Sequence, residues 1–217
     1  MKCIQVNKKL RTRLCSLWKG VIILLAICIV VSCTTKQFDS EQEHWANIKN
    51  TEKGYYHEKV IGAIKYELTY RPTDILVKQE LGENASIAAV DSLRSSYGKY
   101  LYFNLSMSSN GQELLNSRSR DKNAFGTMVS QLAFGMKDKV QLISKSRDTL
   151  SLLDYNYPRM YGTSKSTNML LIFPRDEAVL NQEYCHIAVK DFGFETGEVG
   201  FKLYLKFLKN EPKLNIL

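Results

Sequence analysis

Apolar and polar residues alternate with a period of two in several separate segments of this 217-residue chain. The pattern is clearest in segments 64–70, 101–107 and 201–207, and Pro72 closely follows the first of them. Such alternation is typical of strands that bury one face and expose the other, as antiparallel sheets do. The residues on the apolar faces are Ile64, Tyr66, Leu68 and Tyr70, then Leu101, Phe103, Leu105 and Met107, then Phe201, Leu203, Leu205 and Phe207.

Two other segments follow the period of a helix. Within 73–98, apolar residues fall on one helical face between Ser86, a candidate N-cap, and Gly98, a candidate terminator. The segment Lys122–Met136 fits the helical template along its whole length, with Asp121 as a candidate N-cap. We therefore expect two or three helices in the N-terminal half of the chain.

The C-terminal half contains strand patterns. The residues KSRDT and ETGEV each separate two apolar runs, which predicts two hairpins, and Met169–Phe173 is apolar on both faces, as in an internal strand. With about seven strands and no regular βαβ alternation, the sequence predicts an α+β fold of mainly antiparallel strands. A β-sandwich with inserted helices is one form that this fold would take.

The N-terminal segment has three parts. It begins with basic residues and no acidic ones, continues through an apolar run at Val21–Val31, and reaches the small residue Ser32 just before Cys33. This order is that of a secretory signal, and eleven apolar residues are few for a permanent span, which needs about 20. An uncleaved anchor helix over 14–32 is the alternative, although Lys19 would be costly within it.

Val30-Val31-Ser32-Cys33 resembles a bacterial lipobox. The resemblance implies a thioether from Cys33 to diacylglycerol, cleavage before Cys33 and acylation of the new amino group. Two or more acyl chains give stable membrane anchoring. The chain is also similar in character to envelope lipoproteins of Bacteroidetes-type bacteria. By analogy, Thr34 favours the outer over the inner membrane, while the side of the membrane that the domain faces stays open.

Removal of residues 1–32 changes the composition. Six of the 30 lysines and arginines and none of the 22 acidic residues lie there, so the remaining chain has a net charge of +2 instead of +8. A nucleic-acid partner is therefore not expected, because such domains are strongly basic. We expect a lipidated N-terminus and tether over 33–54 and one globular domain over 55–217.

The sequence offers few residues with a clear chemical role. Cys185 is the one thiol left after lipidation, and its neighbour His186 would point to the opposite face of a strand, which argues against a catalytic dyad. Cys185 should be buried on the face of Ile187 and Val189. No histidine or cysteine spacing typical of a metal site occurs, and we expect no metal, cofactor or catalytic residue.

The segment 154–168 is rich in tyrosine. Tyr155, Tyr157 and Arg159 would share one face of an extended chain, with Tyr161 next to them, and together they form a candidate binding surface. Alternatively, the tyrosines cover the core with their hydroxyl groups in water.

Two functions remain open at this point. The first is a lipid-anchored, non-enzymatic binding or assembly module with an envelope protein or glycan as its partner. The second is a lipid-anchored hydrolase of envelope glycans or peptides, with carboxylates brought together by the fold.

Overall fold

The computed structural model describes residues 36–82, 86–160 and 162–217. The strands in this part of the chain are β1 Gln37–Phe38, β2 Tyr56–Ile61, β3 Ile64–Arg71, β4 Tyr100–Ser109, β5 Val140–Ser144, β6 Thr149–Ser151, β7 Asp154–Asn156, β8 Thr167–Pro174, β9 Tyr184–Val189, β10 Val199–Tyr204 and β11 Lys213–Leu214. The α-helices are α1 Glu41–Lys49, α2 Thr73–Leu81, α3 Ile87–Tyr97, α4 Lys122–Phe134, α5 Met136–Lys139, α6 Glu177–Leu180 and α7 Leu205–Lys209, and two 3₁₀ turns lie at Thr51–Lys53 and Leu114–Arg118.

Five strands form the larger sheet, in the order β2-β3-β4-β8-β7, and every neighbouring pair is antiparallel. The alternating residues of β3, β4 and β8 bury one face, and the register places Leu68 opposite Leu105 and Leu105 opposite Met169. The internal position of β8 confirms the prediction from its run of apolar residues.

Four strands form the second sheet, in the order β10-β9-β5-β6, also antiparallel throughout. The inward residues of both sheets belong to one hydrophobic cluster, in which Phe103 and Phe173 of the larger sheet join Ile187 and Phe201 of the smaller. The two sheets therefore enclose a common core, and the predicted α+β fold with mainly antiparallel strands is confirmed. The exception is the parallel pair β1–β11.

The predicted helix ends are confirmed at three positions. The Ser86 side chain accepts a hydrogen bond from the Ala89 N–H, and Gly98 ends α3. The Asp121 carboxylate accepts hydrogen bonds from the N–H groups of Asn123 and Ala124 at the start of α4. Each side chain satisfies backbone donors that have no partner inside the helix, which explains why these boundaries could be predicted.

Two features of the strand prediction were wrong. The last long strand was expected to continue to Phe207, but β10 ends at Tyr204, because its partner β9 begins at Tyr184. The chain then forms α7, which buries Leu205 and Leu208 three residues apart on one helical face. In addition, β2 was missed because none of its residues is buried and the strand lacks apolar alternation.

The predicted tether is largely part of the domain. Of its residues 33–54, the described ones form β1, α1 and a 3₁₀ turn, with Phe38, His44 and Ile48 buried. The low apolar content of this segment suggested an extended polar chain, but a few buried side chains are enough to fix it because their partners come from distant parts of the sequence.

The expected environment of Cys185 is confirmed. Its side chain is buried with Ile187 and Val189, and burial raises the pKa of the thiol to about 12. His186 lies on the other face of β9, where its ring meets the edge of Tyr184 at a centroid distance of 5.4 Å. The two side chains thus form no dyad. Cys33 and the rest of the motif that resembles a lipobox lie outside the described residues.

Candidate functional site

The carboxylate of Glu211 joins three parts of the chain at the end of the domain that contains α2. Its Oε2 accepts hydrogen bonds from the Tyr70 hydroxyl at 2.6 Å and from the Thr73 N–H at 3.1 Å. Its Oε1 accepts one from the Thr73 hydroxyl at 2.9 Å and one from Arg175 Nη2 at 3.3 Å. Because Pro72 precedes α2 and has no polar side-chain atom, Glu211 acts as the cap of that helix from 138 residues away.

A second carboxylate lies beside the first. Asp74 accepts hydrogen bonds from Arg94 Nε at 2.7 Å and Nη2 at 2.9 Å, and from the Leu214 N–H at 2.8 Å. Arg94 Nη2 also donates to the Leu214 carbonyl oxygen at 3.2 Å. This bidentate pair fastens β11 to α2 and α3. We call the six residues Tyr70, Thr73, Asp74, Arg94, Arg175 and Glu211 the ion-pair network.

The members of the ion-pair network other than Tyr70 line a cleft of about 210 Å³. Ligand pockets usually measure roughly 300–1,000 Å³, so this cleft is small for a saccharide or peptide. Both acids are already engaged by arginines and backbone N–H groups. Asp74 and Glu211 therefore hold the C-terminal segment in place. A catalytic acid and base would instead need carboxylates that are free to reach a substrate.

His44 connects α1 to the same segment. Its ring is buried and stacked on Phe38 at a centroid distance of 5.2 Å, and Nε2 lies 3.1 Å from the Pro212 carbonyl oxygen. Since a carbonyl only accepts, Nε2 carries the proton and donates. Nδ1 is buried and has no hydrogen-bond partner within the described ranges. Burial lowers the pKa of His44, against the opposing effect of the Pro212 hydrogen bond and of Asp74, Glu211 and Glu41.

The structure places two of the predicted surface tyrosines at one edge of the larger sheet. Tyr155 lies in the edge strand β7 opposite Leu171, and Tyr157 follows that strand. Both rings are half-buried against the common core, and the Tyr155 hydroxyl lies beside the backbone of Met136. Part of each ring thus covers the core, as the alternative interpretation of these residues predicted.

Exposed apolar side chains lie close in sequence to these tyrosines or to Met136, the residue beside the Tyr155 hydroxyl. Leu153 and Met160 are 48% and 42% exposed on the same segment, and Phe134, two residues before Met136, is 78% exposed. Arg159 is exposed beside Met160, and Tyr161 lies outside the described residues. We call Phe134, Leu153, Tyr155, Tyr157, Arg159 and Met160 the edge patch. Large exposed apolar side chains grouped in this way are typical of interaction surfaces.

A buried carboxylate positions the chain after the edge patch. Glu113 accepts hydrogen bonds from the Gly162 N–H at 3.0 Å and the Ser164 N–H at 3.1 Å. Gly162 has a φ of +83°, and a Cβ there would approach Asn116 Oδ1 to 3.2 Å, so this position favours glycine. Glu113 therefore fixes the backbone of the loop at Gly162 and Ser164. Sequence reasoning missed Glu113, because nothing in its neighbourhood distinguishes it from a surface glutamate.

Within 36–82, 86–160 and 162–217, no group of three or more His, Cys, Asp or Glu side chains is arranged to hold a metal ion. No helix in these ranges combines the length and the apolar character needed to cross a membrane. Comparison with protein-family models, curated proteins and solved structures gave no match.

Loss of Glu211 should destabilise the domain. In Glu211→Ala, Arg175 and the N-terminus of α2 lose their partner, and the side chains of the pair are only 15% and 18% exposed. We expect the free energy of unfolding to fall by about 3 kcal/mol, as for other largely buried ion pairs that lose one member. Urea denaturation would measure this. Glu183→Ala removes the exposed pair with Lys145 and should leave stability close to wild type. If both variants lost the same unfolding free energy, the stabilising role of Glu211 would be contradicted.

The domain should also lose stability in mild acid. The unfolded chain titrates His44 near 6.5 and the folded protein titrates it lower, so the stability from neutral His44 is complete above about pH 6.5 and declines below it. Between pH 7.5 and 5.5, His44→Gln should show a smaller decline in unfolding free energy than wild type. His186→Gln, on the outward face of β9, is the matched control, and an unchanged decline in His44→Gln would refute this role for His44.

Proposed function

We propose that this protein is a lipid-anchored protein of the bacterial cell envelope that acts as a non-enzymatic binding or assembly module. Cys33 carries the lipid, which ties the protein to a membrane, and by analogy Thr34 favours the outer over the inner membrane. The edge patch is the surface that contacts an envelope protein or glycan. The order of basic residues, apolar run, Ser32 and Cys33 supports the anchor.

The observation that carries the binding role is the edge patch. Leu153 and Met160 are exposed on the segment that contains two half-buried tyrosines and the exposed Arg159, and Phe134 is exposed two residues before Met136, which lies beside Tyr155. The loop that follows this sheet edge is held by Glu113. Aromatic rings and arginine contribute strongly to interfaces, and a surface that is ordered in advance loses little entropy when it binds.

The alternative is a lipid-anchored hydrolase of envelope glycans or peptides. Its strongest structural candidate is the meeting of Asp74 and Glu211 in one cleft. A hydrolase would use such acids for proton transfer, but here each carboxylate is held by an arginine and by backbone N–H groups. The binding role is therefore the better supported of the two.

Lipidation of Cys33 can be tested by metabolic labelling. Cells that produce the full chain should incorporate labelled palmitate into the wild type and not into Cys33→Ala, because the thioether requires the Cys33 thiol. Cys28→Ala, within the apolar run, is the matched control and should label like wild type. Equal labelling of Cys33→Ala and wild type would refute the anchor.

The edge patch can be tested by partner recovery from detergent-solubilised envelopes. Arg159→Glu combined with Met160→Ala changes exposed side chains only, so recovery should fall about tenfold, which corresponds to roughly 1.4 kcal/mol. The thermal melt should stay close to that of wild type. Val60→Ser, at the exposed opposite edge of the same sheet, should recover partners normally. Unchanged recovery with the edge-patch variant would count against this surface.

A further inference from the structure

The chain is fixed to the domain from Lys36 onward. The Lys36 carbonyl oxygen accepts a hydrogen bond from the Lys213 N–H at 2.9 Å, and the Phe38 carbonyl oxygen accepts one from the Asn215 N–H at 2.7 Å. These bonds belong to the parallel pair β1–β11, whose Phe38 side chain is buried. Lys36 therefore cannot move away from the domain unless this pair breaks.

The residues from Ser40 to Ile48 are also fixed to the domain. Ser40 caps α1 by accepting a hydrogen bond from the Glu43 N–H at 3.1 Å, and one turn later His44 is buried against Phe38 and Pro212. Ile48 then enters the common core. The segment that the sequence predicted as a tether is thus packed over most of its length, and it is not available as a spacer.

Only Thr34 and Thr35 separate Cys33 from Lys36. Three residue steps span at most about 11 Å, whereas a free chain of twenty residues would reach roughly 65 Å. The headgroup region on each side of a bilayer is itself several ångströms thick, because the whole bilayer measures about 40–45 Å and its hydrocarbon core about 30 Å. A lipid on Cys33 therefore leaves Lys36 at the surface of the headgroup region.

We infer that the face of the domain formed by β1 and α1 rests on the lipid headgroups of the membrane that holds Cys33. This inference depends on the proposed lipidation of Cys33. Apart from Ala46, the exposed residues that line a shallow depression on this face are polar or charged, among them Lys36, Gln37, Asn50 and Lys53. Such side chains suit contact with hydrated headgroups. Acidic residues such as Glu43 lie there too, so the short connector, and not charge, selects this face.

The chain contains a natural reporter for this arrangement. Of its two tryptophans, Trp18 lies in the segment that cleavage removes, so Trp45 on α1 is the single tryptophan of the mature protein. Energy transfer from Trp45 to a dansyl-headgroup phospholipid in reconstituted vesicles therefore reports how close the α1 face lies to the headgroups.

The test compares the mature lipidated protein with a variant that carries a 20-residue Gly-Ser linker between Thr35 and Lys36. The linker has a root-mean-square reach of roughly 25 Å, so we expect at least about a twofold loss of energy transfer. The same linker added after Leu217 is the matched control and should keep the wild-type transfer. Vesicle flotation shows separately whether each protein is anchored.

The outcomes distinguish this inference from the proposed function. Failure of the wild type to float with vesicles would refute the lipid anchor itself. If all three proteins float but the linker between Thr35 and Lys36 leaves the transfer unchanged, whether high or low, the inferred placement of the β1–α1 face by the short connector is overturned.

Discussion

The carboxylate of Glu211 connects the larger sheet to the N-terminus of α2 and to the C-terminal segment. Glu211 is the acceptor for the phenol of β3, for the first N–H of α2 and for the guanidinium of Arg175, which itself also donates to the Tyr70 hydroxyl. Burial, together with Glu211, raises the pKa of Tyr70 well above its ordinary value, so the phenol stays protonated as a donor. The Glu211 carboxylate therefore connects the larger sheet, helix α2 and the C-terminal segment to one another.

Much of the fold follows from local patterns in the sequence. Strands β3 and β4 were predictable because each is long enough for alternation to be recognised, and β8 because it is a continuous apolar run. Helices α3 and α4 were predictable because a capping side chain marks the start of each. The pairing of β1 with β11 has no such signal. Two residues carry no period, and their partners lie at the far end of the chain, so only tertiary contacts specify the pair.

The candidate surface was predictable in part. Tyrosines in a loop suggested recognition, and Tyr155 and Tyr157 do lie at a sheet edge, yet both also cover the core. Phe134 belongs to a different segment, which approaches Tyr155 through Met136 of α5, and a single sequence does not reveal that approach. The ion-pair network was missed for the same reason: Pro72 indicates where the first strand ends, but the sequence does not reveal the distant residues that bind Thr73 and Asp74.

The dependence of the N-terminal elements on residues 211–214 sets an order of events during biosynthesis. A chain that emerges N-terminus first can form the β2–β3 hairpin and extend it with β4 early, because these strands are neighbours in sequence. The segment from Lys36 to Ile48 and the start of α2, however, cannot form their hydrogen bonds until residues more than 130 positions downstream have been synthesised. Until those arrive, His44 has no carbonyl to bind, and the uncapped end of α2 is exposed to water. The segment from Lys36 to Ile48 is thus among the last parts of the described domain to become ordered. An enzyme that modified Cys33 while the chain was still emerging would encounter this segment before it folds. After residues 211–214 have docked, the same enzyme would encounter a folded domain.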